Sequence, residues 1–191
     1  MRIYDIVIPA CWLTFFIVWA VLSLVGRGGK EQRRYSTGAR LLRLGLLIVL
    51  VLVILNSDRL PLDAFRRMTA ASAATGAAAV GSVLCVIGLA FAIWARVTLG
   101  RHWGMPMTLR ATPELVTQGP YAYVRHPIYT GVIAMMIGTT LVYPLGILWC
   151  LAMIPYFVFS ARREERDMEQ LFPDVYPPYK QRSKMLIPFV F

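Results

Sequence analysis

Charged residues are scarce in this 191-residue chain: 16% are Asp, Glu, Lys or Arg, whereas 58% are hydrophobic and the mean hydropathy is +0.59. Soluble domains carry roughly a quarter charged residues, so the scarcity points to lipid as the surrounding solvent. Acidic residues are rarer still, 10 against 20 Lys and Arg, for a formal net charge of +10. The basic residues cluster in connections between apolar runs and are not spread over a solvated face. That argues against a nucleic-acid partner and for anionic headgroups and membrane topology. The cysteines number three, Cys11, Cys85 and Cys150, all inside apolar segments and without ligand-like spacing. They support neither a disulfide framework nor a metal site. The apolar runs also lack ionisable residues of the kind that mark an ion or substrate path, which disfavours a transport subunit or scaffold.

What is there is a series of apolar runs. Residues 6–25 hold Trp12, Phe15, Phe16 and Trp19 without a charge, about the length of a membrane span. The run is longer than a signal-peptide core and no small-x-small cleavage site precedes Arg27, so a retained first helix is expected. Residues 27–43 carry Arg27, Lys30, Arg33, Arg34, Arg40 and Arg43 against Glu31 alone, and read as cytoplasmic. A second span is expected over 44–55 and a third over 70–94, where Gly76, Gly81 and Gly88 permit close approach of a neighbour. The runs 128–142 and 145–159, broken at Tyr143-Pro144, predict a helical hairpin that starts near Pro127 and continues past Ser160 into Arg163. With the amino terminus outside, five spans gather most cations on the cytoplasmic side. The expected fold is thus an all-α polytopic membrane helix bundle of about five transmembrane helices with a short cytosolic carboxyl-terminal cap. Residues 1–98 form its first three helices and 99–191 its chemical part.

Polar and aromatic groups crowd into residues 119–131, where Tyr121, Tyr123, Arg125, His126 and Tyr129 meet the mouth of an apolar run. Pro127 stops any upstream helix and opens the next, fixing Arg125 and His126 at a helix entrance. The hairpin returns Arg162, Arg163, Glu164 and Glu165 to the same face. Tyrosines suit a soft cation such as a sulfonium, and a carboxylate beside a basic group suits the two ends of an amino acid. Plainer readings stand beside these. Arg125 can be a snorkelling anchor, His126 a helix cap, the tyrosines an interfacial belt, and Glu164 and Glu165 part of a solvated face. The last apolar segment, 185–189, is expected to fold back onto the bundle.

From about Leu99 to Phe189 the chain resembles the isoprenylcysteine carboxyl methyltransferase family of integral-membrane enzymes. The likeness is carried by Leu99-Gly100-Arg101-His102-Trp103, by Leu115-Val116-Thr117-Gln118-Gly119-Pro120-Tyr121 leading into Arg125-His126-Pro127-Ile128-Tyr129-Thr130-Gly131, and by Glu164-Glu165 followed by Leu171-Phe172 and Tyr176 to Tyr179. Its first half is shared with related phospholipid N-methyltransferases. The resemblance implies S-adenosyl-L-methionine as methyl donor and a lipophilic small-molecule or lipid acceptor. It implies that Leu115, Val116, Tyr121, His126, Pro127, Ile128, Tyr129 and Glu164 line the cofactor pocket, Glu164 on the ammonium and His126 near the carboxylate. Where the family places an arginine for the substrate carboxylate, this chain has Ser160, so Arg162 or Arg163 would have to substitute. Pro113 stands where the family often has His.

A carboxylate acceptor, with a pKa of about 4, is already ionised at neutral pH and needs no base. An amine acceptor would need one, and His126, Glu164 and Glu165 are the candidates. The rival reading is an NADPH-dependent reductase of the sterol-reductase type, disfavoured by the greater length and extra spans of such proteins.

Overall fold

The structure, a computed structural model, describes residues 2–25, 75–100 and 115–188, all within one compact unit. The expected second span over 44–55, the loop 27–43, Pro113 and the Arg101-His102-Trp103 part of the motif lie outside the described residues. Among those described there are five α-helices and no strand: α1 (Tyr4–Val25), α2 (Thr75–Leu99), α3 (Pro127–Val142), α4 (Gly146–Leu171) and α5 (Tyr176–Arg182), with a 3-10 turn over Gly119–Ala122. Two of them, α1 and α2, are long and apolar enough to cross a membrane, and α3 is a shorter apolar helix.

Apolar side chains leave these helices outward as well as inward. On α2, Val80, Val83, Ile87, Trp94 and Val97 are all at least half exposed, an arrangement stable only where the solvent is itself apolar. Among the described residues the core is accordingly thin. Ile8 and Cys11 of α1 pack with Cys85 of α2 and with Met135 and Val142 of α3. Trp12 donates its indole N–H to the Thr139 hydroxyl at 3.0 Å, satisfying a polar group that lipid could not.

The closest packing among the described helices joins α2 to α3, through the glycines. A Cβ on Gly88 would stand 2.6 Å from the Gly131 carbonyl oxygen, and one on Gly131 would stand 2.6 Å from that of Gly88 and 2.7 Å from Ala92 Cβ. Gly81 and Gly138 repeat the contact two turns away. The small-residue expectation therefore holds at Gly81 and Gly88, whereas Gly76 has nothing within 4 Å and makes no such contact. Without side chains between them the backbones meet directly, and dispersion over that contact replaces the hydrophobic effect that a bilayer does not supply.

The hairpin forms as expected. α3 begins at Pro127, whose missing N–H is no loss at a first helical position, and the chain turns over Tyr143 to Leu145 into α4. α4 runs without a break through Pro155 and Ser160 to Leu171. It thereby carries Arg162 to Glu165 back alongside the entrance of α3.

Candidate active site

Position 126 is held from both sides before any side chain is considered. Residues 124–126 run parallel to 184–185: the Arg125 N–H donates to the Lys184 carbonyl at 2.8 Å and the His126 N–H to that of Met185 at 3.1 Å. The Lys184 N–H returns a bond to the Tyr123 carbonyl at 3.1 Å, and the Thr130 hydroxyl donates to the Leu186 carbonyl at 2.6 Å. Met185 and Leu186 are buried against Ala161, Tyr129 and Ile133. The tail segment does fold back, and it does so as the clamp on the motif.

His126 is the N-cap residue of α3, but its side chain caps nothing. The ring instead stacks on Tyr129, centroids 5.6 Å apart and planes within 7°. It also lies between two carboxylates, Nδ1 3.5 Å from Glu164 and Nε2 3.5 Å from Glu165. Burial alone would lower the imidazole pKa, but the two carboxylates outweigh it and hold His126 above its ordinary value. Nε2 is buried without a hydrogen bond among the described residues.

The two glutamates differ in use. Glu165 is 5% exposed, is 2.6 Å from Arg125 Nε and 3.2 Å from Lys180 Nζ, and is thus no part of a solvated face. Burial would raise its carboxyl, yet His126, Arg125 and Lys180 together pull it down to about 2. Arg125 is no loose anchor either, because its guanidinium also donates to the carbonyls of Lys180, at 3.1 Å, and Ser183. Glu164 accepts the Tyr129 hydroxyl and keeps about a third of its side chain exposed. It is a positioned carboxylate with an open side.

Tyr121 lies in the 3-10 turn with its ring buried, and burial, with Tyr179 and more weakly Glu164 adding to it, pushes its phenol up. The Tyr179 hydroxyl donates to the Tyr121 carbonyl at 2.7 Å, tying α5 to that turn. Gly119, at φ +58°, makes the turn possible where a side chain would meet Thr98 at 3.2 Å. Leu115 and Val116 are half-buried in the irregular segment before it, Pro127 is buried and Ile128 half-buried.

The structure thus brings His126, Tyr129 and Glu164 into one contact cluster. Ser160 lies beside the Tyr129 hydroxyl, and Phe157 closes over the Tyr129 ring at 5.1 Å. It does not bring Arg162 there. Two residues from Glu164, Arg162 points about 160° around the helix and lines a cleft with Arg166 and Lys180. Arg163 is about 100° from Glu164 and about 60° from Ser160. Missed in the sequence were the Arg125–Glu165–Lys180 network and the pairing of 184–185 with the motif; the run of Lys180 and Lys184 after the Tyr176–Tyr179 stretch was the available signal.

Comparison with known proteins agrees with the motif. The profile of the Phospholipid methyltransferase family matches residues 77–175, just over half of the chain. Methanethiol S-methyltransferase 1 of Bradyrhizobium diazoefficiens is 38% identical over 77 residues, 40% of this chain and 27% of that protein. The protein-S-isoprenylcysteine O-methyltransferase of Mus musculus is 30% identical over 121 residues, 61% of this chain and 43% of that one. Protein-S-isoprenylcysteine O-methyltransferase B of Arabidopsis thaliana is 29% identical over 116 residues, 58% of each chain. This chain therefore spans between about a quarter and somewhat over half of these relatives. A solved eukaryotic isoprenylcysteine carboxyl methyltransferase, described as intramembrane, shares the fold, with a TM-score of 0.59 over 96% of this chain and 68% of that one at 21% identity. The clamped His126, the Glu164 carboxylate and the apolar helices around them are thus those of a membrane protein that belongs to the phospholipid methyltransferase family, with isoprenylcysteine methyltransferases among its relatives.

Proposed function

We propose that this protein is a membrane-embedded methyltransferase that moves a methyl group from S-adenosyl-L-methionine to a lipophilic acceptor, in the first instance a carboxylate. The observation that carries the reading is the contact of Tyr129 with Glu164 beside a stacked His126 that two carboxylates hold above its ordinary pKa. The residues fit an amino-acid-like cofactor: Glu164 offers an open carboxylate to an ammonium, and His126 would lie near the carboxylate end. When bound, the sulfonium supplies the electrophilic methyl. The Tyr129 and Phe157 rings present π-faces toward positive charge, and the Tyr129 hydroxyl holds the Glu164 carboxylate in place. Tyr121, Pro127 and Ile128 exclude water beside it, and Leu115 and Val116 form the outer wall.

No base is required for a carboxylate acceptor, so the task of the chain is alignment of oxygen, carbon and sulfur. Arg163, on the flank next to Ser160, is the better of the two arginines to meet the acceptor carboxylate; Arg162 faces the cleft behind. In this reading five spans put the amino terminus outside and the site and carboxyl terminus in the cytoplasm, consistent with the cation-rich connections. A second reading, transfer to a thiol, is favoured by the 38% identity with methanethiol S-methyltransferase 1 and by the neutral Ser160 beside Tyr129.

Transfer of labelled methyl to prenyl-cysteine mimics, alkanethiols and total membrane lipids separates them. Base-labile release of methanol identifies an ester, and stable label on a thiol or lipid amine identifies the other acceptors. Absence of transfer to any of them, with NADPH rather than S-adenosylhomocysteine stabilising the protein, contradicts the proposal.

A further inference from the structure

Leu148, Leu151 and Phe159 on the outer face of α4 are 65%, 66% and 66% exposed. At 3.6 residues per turn they lie within about 80° of one another, and Arg162 and Arg166 continue the same strip in the next two turns. Those two arginines line an open cleft of about 620 Å³, bounded on its other side by Lys180, Ser183 and Lys184. Of the acids in the cleft, Glu165 is taken by Arg125 and Lys180, and Glu169 by Lys180 at 2.8 Å. Arg162, Arg166 and Lys184 have no carboxylate partner among the described residues. Three uncompensated cations from two separate elements therefore converge on one space, at the level where an apolar helix face ends. Like charges brought together in this way are stabilised by an anion placed among them.

We propose that this cleft binds the phosphate of an anionic membrane phospholipid whose acyl chains lie along Leu148, Leu151 and Phe159. The site is separate from the methyl-donor cluster, because Arg162 and Glu164 occupy opposite sides of α4. It is nevertheless coupled to that cluster through the backbone: Lys184 is bonded to Tyr123 and Arg125, and its neighbour Met185 holds the His126 N–H. A phosphate on Lys184 braces the segment that clamps the motif.

Native mass spectrometry of the full chain, released from a neutral detergent after loading with phosphatidylglycerol or phosphatidylcholine of identical acyl chains, tests this directly. Phosphatidylglycerol should be retained roughly tenfold or more over phosphatidylcholine, and the R162Q/R166Q variant should lose that preference. Equal retention of the two lipids by the unaltered protein, or an undiminished preference in the variant, would overturn the proposal. Inorganic phosphate is the competing source: full displacement of phosphatidylglycerol by millimolar phosphate would show that the anion alone is read and that the apolar strip plays no part. Should the double variant fail to fold, the single variants R162Q and R166Q and a salt series on the unaltered protein carry the test; a preference indifferent to salt contradicts it.

Discussion

At the scale of single residues, the proposed chemistry depends on how one helix turn divides the work between two adjacent carboxylates. Glu165 is buried and spent on Arg125 and Lys180, whereas Glu164 is open on one side and fixed by Tyr129. Replacing Glu165 with Gln leaves the Arg125 guanidinium buried without its counter-charge, a change that costs about 3–5 kcal/mol. The expected outcome is a marked loss of thermal stability in detergent. The pH dependence follows from opposite shifts. Glu165 is held down to about 2 from its usual 4.5, so its contribution is complete above about pH 4.5 and is lost as pH falls toward 2. His126 is held above its usual 6.5, so its contribution is complete below that value and is lost as pH rises through the folded pKa. A melting-temperature series from about pH 5 to pH 9 should therefore decline on the alkaline side, and His126→Gln should flatten that decline. An unaltered slope in the variant would show that His126 is not the titrating group.

At the scale of elements, the site is placed by backbone contact. α2 and α3 meet where Gly88 faces Gly131, and Gly131 stands five residues beyond His126 and two beyond Tyr129. Gly131→Ala would drive a methyl group into the Gly88 carbonyl and Ala92, with an overpacking cost of about 1–3 kcal/mol, and should lower both the melting temperature and cofactor affinity. Gly76→Ala, where nothing is near, should leave both within error. The sequence made the apolar runs, the hairpin break at Tyr143-Pro144 and the start at Pro127 legible, because each rests on local signals of length, charge and proline. It identified Gly88 as a packing glycine for the same reason. It could not show that Lys184 and Met185 pair with Arg125 and His126, since that pairing joins backbone groups almost 60 positions apart and leaves no periodic trace. Nor could it separate Arg162 from Arg163, which differ only in the helix face that each one occupies.

At the scale of the whole molecule, the described helices, with apolar faces turned outward, bring one polar cluster, buried at His126 and open at Glu164, to the end of the hairpin. The sequence motif already contained every member of that cluster, His126, Tyr129 and Glu164; what it lacked was the third dimension that sets Glu165 and Arg125 apart as structural partners. The central claim is that this cluster grips the amino-acid end of the methyl donor, and calorimetric titration of S-adenosylhomocysteine into the purified protein measures it most directly. The account predicts saturable binding that weakens at least tenfold in Glu164→Gln, the loss expected when a charged hydrogen-bond partner is removed, with a smaller loss in Tyr129→Phe. Binding of undiminished affinity in a folded Glu164→Gln variant would contradict it.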